Sequence, residues 1–245
     1  MKTILVMSGK GGVGKTTIST NIARYLESTG YSVGIMDADL HGPNVLEMLG
    51  AKHEQMFSVN NELIPIEINE NLKAASISAL IDEKDATIWR GPLKHKFIKE
   101  LIEDVKWGEL DYLIVDFPPG TGDEHLSAAQ TLKNITGVVI VSTPQSIALS
   151  DVKRSIDFCK KLNLPIIGAI ENMSGLIFGE GKVEPFCKKE KIDFLGIIKL
   201  EKEIADANEK GKPFFTNIKI TNTFNKIMMN ILTKVKNENS NSIRR

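Results

Sequence analysis

Residues 3–17 read Thr-Ile-Leu-Val-Met-Ser-Gly-Lys-Gly-Gly-Val-Gly-Lys-Thr-Thr, and this stretch decides the fold. Its first part, residues 3–7, is an apolar run without polar alternation, which is typical of a strand covered on both faces. A glycine-rich turn follows, and residues 16–28 then carry apolar side chains at helical spacing. A strand, a glycine-rich turn and a helix in this order predict the first unit of an α/β fold.

The same alternation continues along the chain. Further apolar runs occupy residues 32–36, 112–115, 138–141 and 165–170, and a second clear helical pattern spans residues 149–162. Because crossovers between parallel strands are right-handed, they place helices on both sides of the sheet. The sequence therefore predicts an α/β fold with a doubly wound, mainly parallel sheet and helices on both faces. Residues 50–72 and 176–192 show too little periodicity for a prediction.

Composition excludes several classes of protein. The 31 basic and 31 acidic residues of this 245-residue chain cancel, so no net charge attracts nucleic acid or anionic lipid. No apolar run approaches the ~18 residues of a membrane helix. The first strand follows Met1 almost directly, so we expect no secretory signal and a cytoplasmic location. We expect one domain over residues 1–236 and a polar, frayed tail over residues 237–245.

The glycine-rich turn has the spacing G-x-x-x-x-G-K-T, which is typical of a phosphate-binding loop. Glycines allow the backbone N–H groups to wrap around a phosphate, and the following helix adds its N-terminal partial charge. We expect Lys15 to bridge the β- and γ-phosphates of a nucleotide triphosphate and the Thr16 hydroxyl to coordinate Mg²⁺. The alternative is a strand–helix turn with a chance lysine. The predicted nucleotide-binding residues of this turn are Gly9, Lys10, Gly11, Gly12, Val13, Gly14, Lys15, Thr16 and Thr17.

Lys10 is an additional lysine at the front of the loop. A phosphate bound within one chain does not require Lys10. This lysine is therefore either a solvated surface residue or a charge supplied to the nucleotide of a second subunit. In the second case it would stabilise transition-state charge in trans, as an arginine finger does.

Carboxylates follow two of the predicted strands. Ligands of a doubly wound sheet bind at the carboxyl ends of its strands, so we expect Asp37, Asp39 and Asp116 to face the phosphate loop. Asp116 and Asp37 are the candidate Mg²⁺ carboxylates, with Thr16. Asp39 is the candidate that positions the attacking water, because Phe117 stands where a glutamate often does so. The alternative for Asp37 and Asp39 is a turn that caps a helix.

Residues 118–122, Pro-Pro-Gly-Thr-Gly, follow Asp116. Two prolines with fixed φ angles and two permissive glycines suit a loop in which the Gly120 N–H reads the γ-phosphate and relaxes after hydrolysis. A plain strand-to-helix turn is the alternative. A single weak carboxylate base predicts slow hydrolysis, which suits a switch.

Residues 9–17 resemble the deviant Walker loop of the MinD/ParA-like P-loop ATPases, in which the early lysine is the signature. Further segments resemble the Mrp/ApbC group of iron–sulfur cluster carrier ATPases, and the likeness spans about residues 3–215. These segments are residues 37–43, 89–92, 107–123, 142–145 and 171–174.

The resemblance implies a MinD-like fold and a homodimer with two ATP molecules between its subunits. It also implies ATP hydrolysis, with Lys10 acting across the interface, Lys15 on the phosphates and Asp39 in the hydrolytic step. Asn172 would contact the adenine. Apo iron–sulfur proteins or other metalloproteins would be the clients, without nucleic acid or membrane as partners.

One departure from the family concerns the iron–sulfur cluster. Members usually carry Cys-x-x-Cys shortly after Asn-Met-Ser, whereas residues 175–182 here contain no cysteine. Cys187 is the nearest thiol and the candidate cluster ligand, with a packing role as the alternative. Cys159 lies on an apolar helical face and is expected in the core.

Two other functions stay open at this point. A MinD/ParA-like positioning switch would need an amphipathic tail or a basic face. The apolar stripe that includes Phe224 and Ile231 is expected to pack on the sheet instead, and Lys94, Lys96 and Lys99 to form a solvated helix face. A nucleotide-dependent scaffold without turnover is the other alternative.

Overall fold

The computed structural model describes residues 1–40, 42–60, 62–80, 91–120, 122–132 and 134–242. Parts of two earlier predictions lie outside the described residues. They are His41, residues 89–90 and Thr121 of the family segments, and residues 243–245 of the predicted tail. The strands are β1 (Lys2–Ser8), β2 (Val33–Asp37), β3 (Phe57–Val59), β4 (Glu62–Ile64), β5 (Ile66–Asn69), β6 (Leu72–Ser76), β7 (Tyr112–Pro119), β8 (Ile135–Ser142), β9 (Ile166–Ser174) and β10 (Phe194–Lys199). The helices are α1 (Lys15–Ser28), α2 (Val45–Met48), α3 (Gly91–Glu103), α4 (Asp123–Thr131), α5 (Ser146–Lys161), α6 (Val183–Glu190), α7 (Lys202–Glu209) and α8 (Ile218–Ser242).

Within the described residues, eight strands form one sheet in the order β10-β9-β8-β1-β7-β2-β6-β5. Its pairs are parallel except for the antiparallel pair of β5 and β6 at one edge. Successive side chains of a strand point to opposite faces, so the burial of every side chain from Thr3 to Ser8 shows that β1 is covered on both faces. The predicted doubly wound α/β fold is confirmed.

The five apolar runs of the sequence are the central strands β1, β2, β7, β8 and β9. The two helical patterns are α1 and α5, which pack against these strands. The segments without a prediction contain short elements: β3 and β4 form an antiparallel hairpin apart from the large sheet, and α6 follows a turn after β9.

The last helix, α8, packs on β10, β9 and β8. Phe224, Ile227, Met228 and Ile231 are fully buried, so the apolar stripe covers the sheet as predicted. The helix continues through residues 237–242, where the sequence predicts a frayed tail. A helix already fixed by its packed part extends at little cost per residue.

The strand register brings the predicted site together. Asp37 of β2 lies beside Asp116 of β7, and Ser8 of β1 lies beside Pro119. The carboxyl ends of these strands, the turn before α1 and the turn before α4 therefore meet at one edge of the sheet.

Candidate nucleotide site

The turn between β1 and α1 is a cradle with one open side. Gly12 and Gly14 have φ angles of 78° and 83°, in the left-handed region that glycine adopts readily. A Cβ atom on Gly11 or Gly12 would meet nothing within 4 Å, so the turn faces open space at these two residues. This shape fits a bound phosphate, as the sequence predicts.

Two other glycines of the same turn, Gly9 and Gly14, are in close contact with residues of α5 and β9. No packing role was predicted for either of those residues. A Cβ on Gly9 would lie 2.3 Å from the Cβ of Asp151 on α5. On Gly14, it would lie 2.2 Å from Nδ2 of Asn172 on β9. The buried Asn172 amide donates to the carbonyl of Val13 at 2.8 Å. Asn172 thus supports the loop through this bond, and its predicted contact with adenine stays a prediction.

Lys15 is the first residue of α1, and its side chain is only 6% exposed. Its Nζ lies 2.8 Å from Oδ2 of Asp116 and 3.8 Å from Oδ2 of Asp39. The close ion pair lacks hydrogen-bond alignment, so the ammonium has no aligned acceptor among the described residues. A buried cation with unused N–H groups beside an open cradle fits a phosphate oxygen.

Asp116 is fully buried and connects the first turn of α1 to β7. Its two carboxylate oxygens accept hydrogen bonds from Thr16 Oγ1 at 2.7 Å and from Ser19 Oγ at 2.6 Å. The sequence analysis did not include Ser19, although its position one turn after Lys15 is visible in the helical pattern. The hydroxyl and carboxylate oxygens of Thr16 and Asp116 are hard ligands of the kind that Mg²⁺ prefers, so the donor set fits this metal.

Asp37 has the capping geometry of the alternative interpretation. Its carboxylate accepts the backbone N–H groups of Asp39 at 3.1 Å and of Val45, the first residue of α2, at 3.0 Å. Complete burial and the neighbouring Asp116 charge together raise the pKa of Asp37 to about 8, against the lowering effect of these hydrogen bonds and of Lys15. These contacts account for Asp37 without a metal, and its predicted role as a Mg²⁺ ligand stays a prediction.

Asp39 lies in the turn after β2, next to the phosphate loop. It accepts the Gly42 N–H at 3.3 Å and faces the Lys15 ammonium. Its largely buried carboxylate is therefore close to Lys15, and its predicted role in positioning the attacking water stays a prediction.

Lys10 contacts its own chain in this structure. Its Nζ donates to Oε1 of Gln145, just before α5, at 3.3 Å, and its carbonyl accepts the Ser8 hydroxyl at 2.9 Å. A single neutral acceptor at this distance holds a lysine weakly. The role of Lys10 in a second subunit stays a prediction.

Thr17 and Gly120 both bond within the chain. Thr17 Oγ1 accepts the side-chain amide of Asn208 on α7 at 3.0 Å, so α7 is fastened to the first turn of α1. The Gly120 N–H, predicted to read a γ-phosphate, donates to the carbonyl of Ser8 at 3.0 Å. In this conformation the turn after β7 is bonded directly to the start of the phosphate loop.

The turn that replaces the family's cysteine motif is ordered by Glu171. Its buried carboxylate accepts Ser174 Oγ, the Gly181 N–H and the Val183 N–H at 2.7–2.9 Å. Two reciprocal backbone hydrogen bonds close the turn at Gly175 and Gly179. Between them, Leu176 and Ile177 are exposed. These apolar side chains offer no lone pairs to iron.

Cys187 lies on the inner face of α6 and is fully buried, as is Cys159 on α5. Burial, together with the charges of Glu184 and Asp193, raises the pKa of the Cys187 thiol to about 12. A cluster ligand must be a thiolate that iron can reach. The burial of Cys187 therefore favours the packing role of the alternative interpretation, and its role as a cluster ligand stays a prediction.

The described residues contain no group of three or more histidine, cysteine or acidic residues placed to hold a metal ion. Within the same residues, no helix combines the length and hydrophobicity needed to cross a bilayer.

Comparison with known proteins identifies the family. The model of the ParA family, described as NUBPL iron-transfer P-loop NTPase, matches residues 1–236. The chain is 43% identical over 244 residues to an iron-sulfur cluster carrier protein of Methanocaldococcus jannaschii, covering 95% of this chain and 84% of the relative.

Two solved structures are also similar. A nucleotide-binding protein of Archaeoglobus fulgidus in complex with ADP is 33% identical, with a TM-score of 0.75 and coverage of 87% of each chain. The septum site-determining protein MinD of Pyrococcus horikoshii, complexed with Mg-ADP, shares the fold at 22% identity, with a TM-score of 0.74 and coverage of 93% and 94%. The phosphate cradle, its buried lysine and these matches lead to one conclusion: the chain belongs to the ParA family of NUBPL-type iron-transfer P-loop NTPases.

Proposed function

We propose that this protein binds ATP with Mg²⁺ and hydrolyses it slowly as a homodimer that serves iron–sulfur cluster assembly. The observation that carries the proposal is the group formed by Lys15, Thr16 and Asp116 beside an open glycine cradle. It supplies a buried cation for phosphate oxygens and hard oxygen ligands for a divalent metal.

The residues around the cradle divide the work. The loop amides and Lys15 bind and orient the triphosphate, and Thr16 and Asp116 hold Mg²⁺. When bound, Mg²⁺ supplies positive charge to the β- and γ-phosphate oxygens. Asp39 positions the attacking water from its place beside Lys15. One carboxylate of low basicity makes the reaction slow.

A second copy of the chain completes the site through Lys10. Within the part of the chain that the structure describes, its ammonium bonds to one neutral partner, the Gln145 amide oxygen, which it can leave when a phosphate oxygen is offered. The bond to Gln145 joins a cation to a neutral oxygen, whereas a bond to phosphate would join two opposite charges, so nucleotide favours the exchange.

Iron–sulfur clusters, or the apo-proteins that receive them, are the substrates of this switch. The relative from Methanocaldococcus jannaschii is named as an iron-sulfur cluster carrier. Both thiols of the present chain are buried, and the turn that carries Leu176 and Ile177 has no cysteine. We therefore assign the chain to nucleotide-driven handling of client proteins, with any cluster held by ligands from outside this chain. The predicted cytoplasmic location remains a prediction.

ATP hydrolysis and iron binding test the two halves of the proposal separately. Wild-type protein is expected to bind ATP with Mg²⁺ and release phosphate, and Lys15→Ala is expected to lose nucleotide binding. Lys96→Ala, which removes an exposed lysine of α3 paired with Glu100, is the matched control. Nucleotide affinity retained by Lys15→Ala would contradict the assigned phosphate contact.

The iron experiment uses anaerobic incubation with iron and sulfide, followed by desalting and iron analysis. We expect no stoichiometric iron on the protein alone and retention only when a client thiol donor is present. Stoichiometric iron on the protein alone would contradict ligands from outside the chain. Tight ATP binding without phosphate release would identify a nucleotide-dependent scaffold. ATP-dependent sedimentation with liposomes or DNA would identify a positioning switch.

A further inference from the structure

His125 is a buried residue in the first turn of α4, directly after the turn that follows β7. Its ring lies between two aromatic rings, with its centroid 5.5 Å from that of Phe117 and 6.2 Å from that of Phe158. Such a position is compatible with simple packing. Its hydrogen bonds are what distinguish it.

The imidazole bonds to the last part of β7 and to the residue before α4. The Gly122 N–H donates to Nδ1 at 3.1 Å, and Nε2 lies 2.9 Å from the carbonyl oxygen of Pro118. A backbone N–H can only donate and a carbonyl can only accept, so Nδ1 must be unprotonated and Nε2 must carry the proton. The two bonds thus require one neutral tautomer of His125.

This turn connects directly to the nucleotide site. Pro118 follows Asp116 by two residues, and the Gly120 N–H bonds to the carbonyl of Ser8, where the phosphate loop begins. A Cβ on Gly120 would lie 3.8 Å from Cε1 of His125, in ordinary contact. His125 therefore links Pro118 to Gly122. Gly120, which lies between them in sequence, is bonded to the start of the phosphate loop.

We propose that His125 is a positioning residue that clasps Pro118 and Gly122 and thereby fixes the turn after β7 in the geometry that responds to nucleotide. This inference rests on the proposed ATPase function and adds a residue to it. His125 does not touch the reacting atoms, because its two ring nitrogens are both engaged by the backbone. It acts through the backbone of the turn.

The position of His125 in the helix suggests the variants. It is the third residue of α4, where a glutamine or glutamate side chain commonly accepts the N–H of the residue before the helix. Glutamine carries an acceptor and a donor and can replace both nitrogens of His125. Glutamate carries only acceptors, so it can bond the Gly122 N–H but not the Pro118 carbonyl. Phenylalanine retains the ring and removes both bonds.

The experiment measures kcat and KM for ATP together with exchange of the Gly122 amide by nuclear magnetic resonance, with and without a non-hydrolysable ATP analogue. For His125→Phe we expect kcat to fall about tenfold, equivalent to about 1.4 kcal/mol, with KM changed by less than about twofold. The Gly122 amide should exchange at least about tenfold faster than in wild type, because its acceptor is gone.

The other variants separate the clasp from packing. His125→Gln should restore kcat and amide protection to within about threefold of wild type, and His125→Glu should protect the amide but leave kcat low. Gln130→Ala, an exposed change on the same helix, should behave as wild type. Wild-type kcat and exchange in His125→Phe would overturn the proposal. So would a His125→Gln variant with kcat as low as that of His125→Phe, since ring packing would then explain the effect. If His125→Phe does not fold, the contrast between Gln and Glu gives the same decision.

A measurement that needs no nucleotide tests the two hydrogen bonds of His125 independently of ATP hydrolysis. Nitrogen chemical shifts of the His125 ring should show the Nε2–H tautomer at neutral pH, and an Nδ1–H or doubly protonated ring would overturn the clasp. If wild type shows this tautomer and nucleotide changes Gly122 exchange but no phosphate is released, the clasp stands and the proposed hydrolysis fails.

Discussion

The side-chain amide of Asn172 donates to the main-chain carbonyl of Val13 across 2.8 Å, which ties the end of β9 to the phosphate loop. The neighbouring Gly14 has a left-handed φ of 83° and leaves room for the Asn172 amide group. Strand β9 is thus part of the loop's support. The shape of the cradle depends on a residue that lies 159 positions away in sequence.

Gly14→Ala should therefore damage the cradle in two ways. Its Cβ would require a strained φ, at about 1–2 kcal/mol, and would lie 2.2 Å from Nδ2 of Asn172. We expect ATP affinity, measured by isothermal titration calorimetry, to fall at least about tenfold, or 1.4 kcal/mol. Gly30→Ala is the matched control, because Gly30 has a φ of 91° with nothing within 4 Å of the new Cβ. Equal ATP affinity in both variants would show that Asn172 does not support the loop.

Asp39→Asn separates binding from hydrolysis. The amide retains the size of the carboxylate but cannot accept a proton from water, so kcat should fall by about 10²–10⁴ while ATP still binds. Phosphate release under saturating ATP and a separate binding titration measure the two effects. Glu47→Gln removes an exposed carboxylate from α2 and serves as the control. Unchanged turnover in Asp39→Asn would remove Asp39 from the mechanism.

Lys10→Ala tests whether two chains share the site. If Lys10 acts in trans, the variant should bind ATP as monomer while its turnover falls by about a hundredfold or more, by analogy with arginine fingers. The rate per chain of wild type should rise with protein concentration as dimers form. Gln145→Ala removes the partner of Lys10 within the chain and should leave turnover intact. A wild-type rate that does not depend on concentration, together with a normal rate in Lys10→Ala, would contradict the trans role.

A structural feature could be predicted from the sequence where neighbouring residues alone determine it. The central strands are continuous apolar runs and the phosphate loop is a contiguous motif, so both were predicted. Strand β10, a short run at the sheet edge that contains Gly196, was not predicted. Gly196 has a φ of 147°, and a Cβ there would lie 2.7 Å from Ile227 of α8. Gly196 therefore allows the close approach of α8, a helix that lies later in the sequence.

The candidate site shows the same division. Lys15, Thr16 and Asp116 come from recognisable patterns, and the structure brings them together. The contacts of Asn172 and His125 depend on tertiary packing and backbone geometry, which no spacing in the sequence reveals. Cys187 is a candidate ligand because of its chemical type, and its burial, which favours a packing role, is visible only in the structure.

The reactivity of Cys187 tests that last assignment. A thiol with a pKa near 12 is about one part in ten thousand thiolate at pH 8, against about a quarter for a free cysteine, so native protein should react very slowly with a thiol reagent. Both cysteines should react quickly in urea.

The raised pKa also predicts a pH dependence of stability. Between about pH 9 and 12 the folded protein binds more protons than the unfolded chain, so the free energy of unfolding should fall as pH rises through this range and be unaffected below it. Cys187→Ala should remove this part of the pH dependence and leave ATP turnover unchanged. One rapidly reacting thiol per native chain, lost in Cys187→Ala, would show that the side chain is accessible and would return it to the candidate cluster ligands.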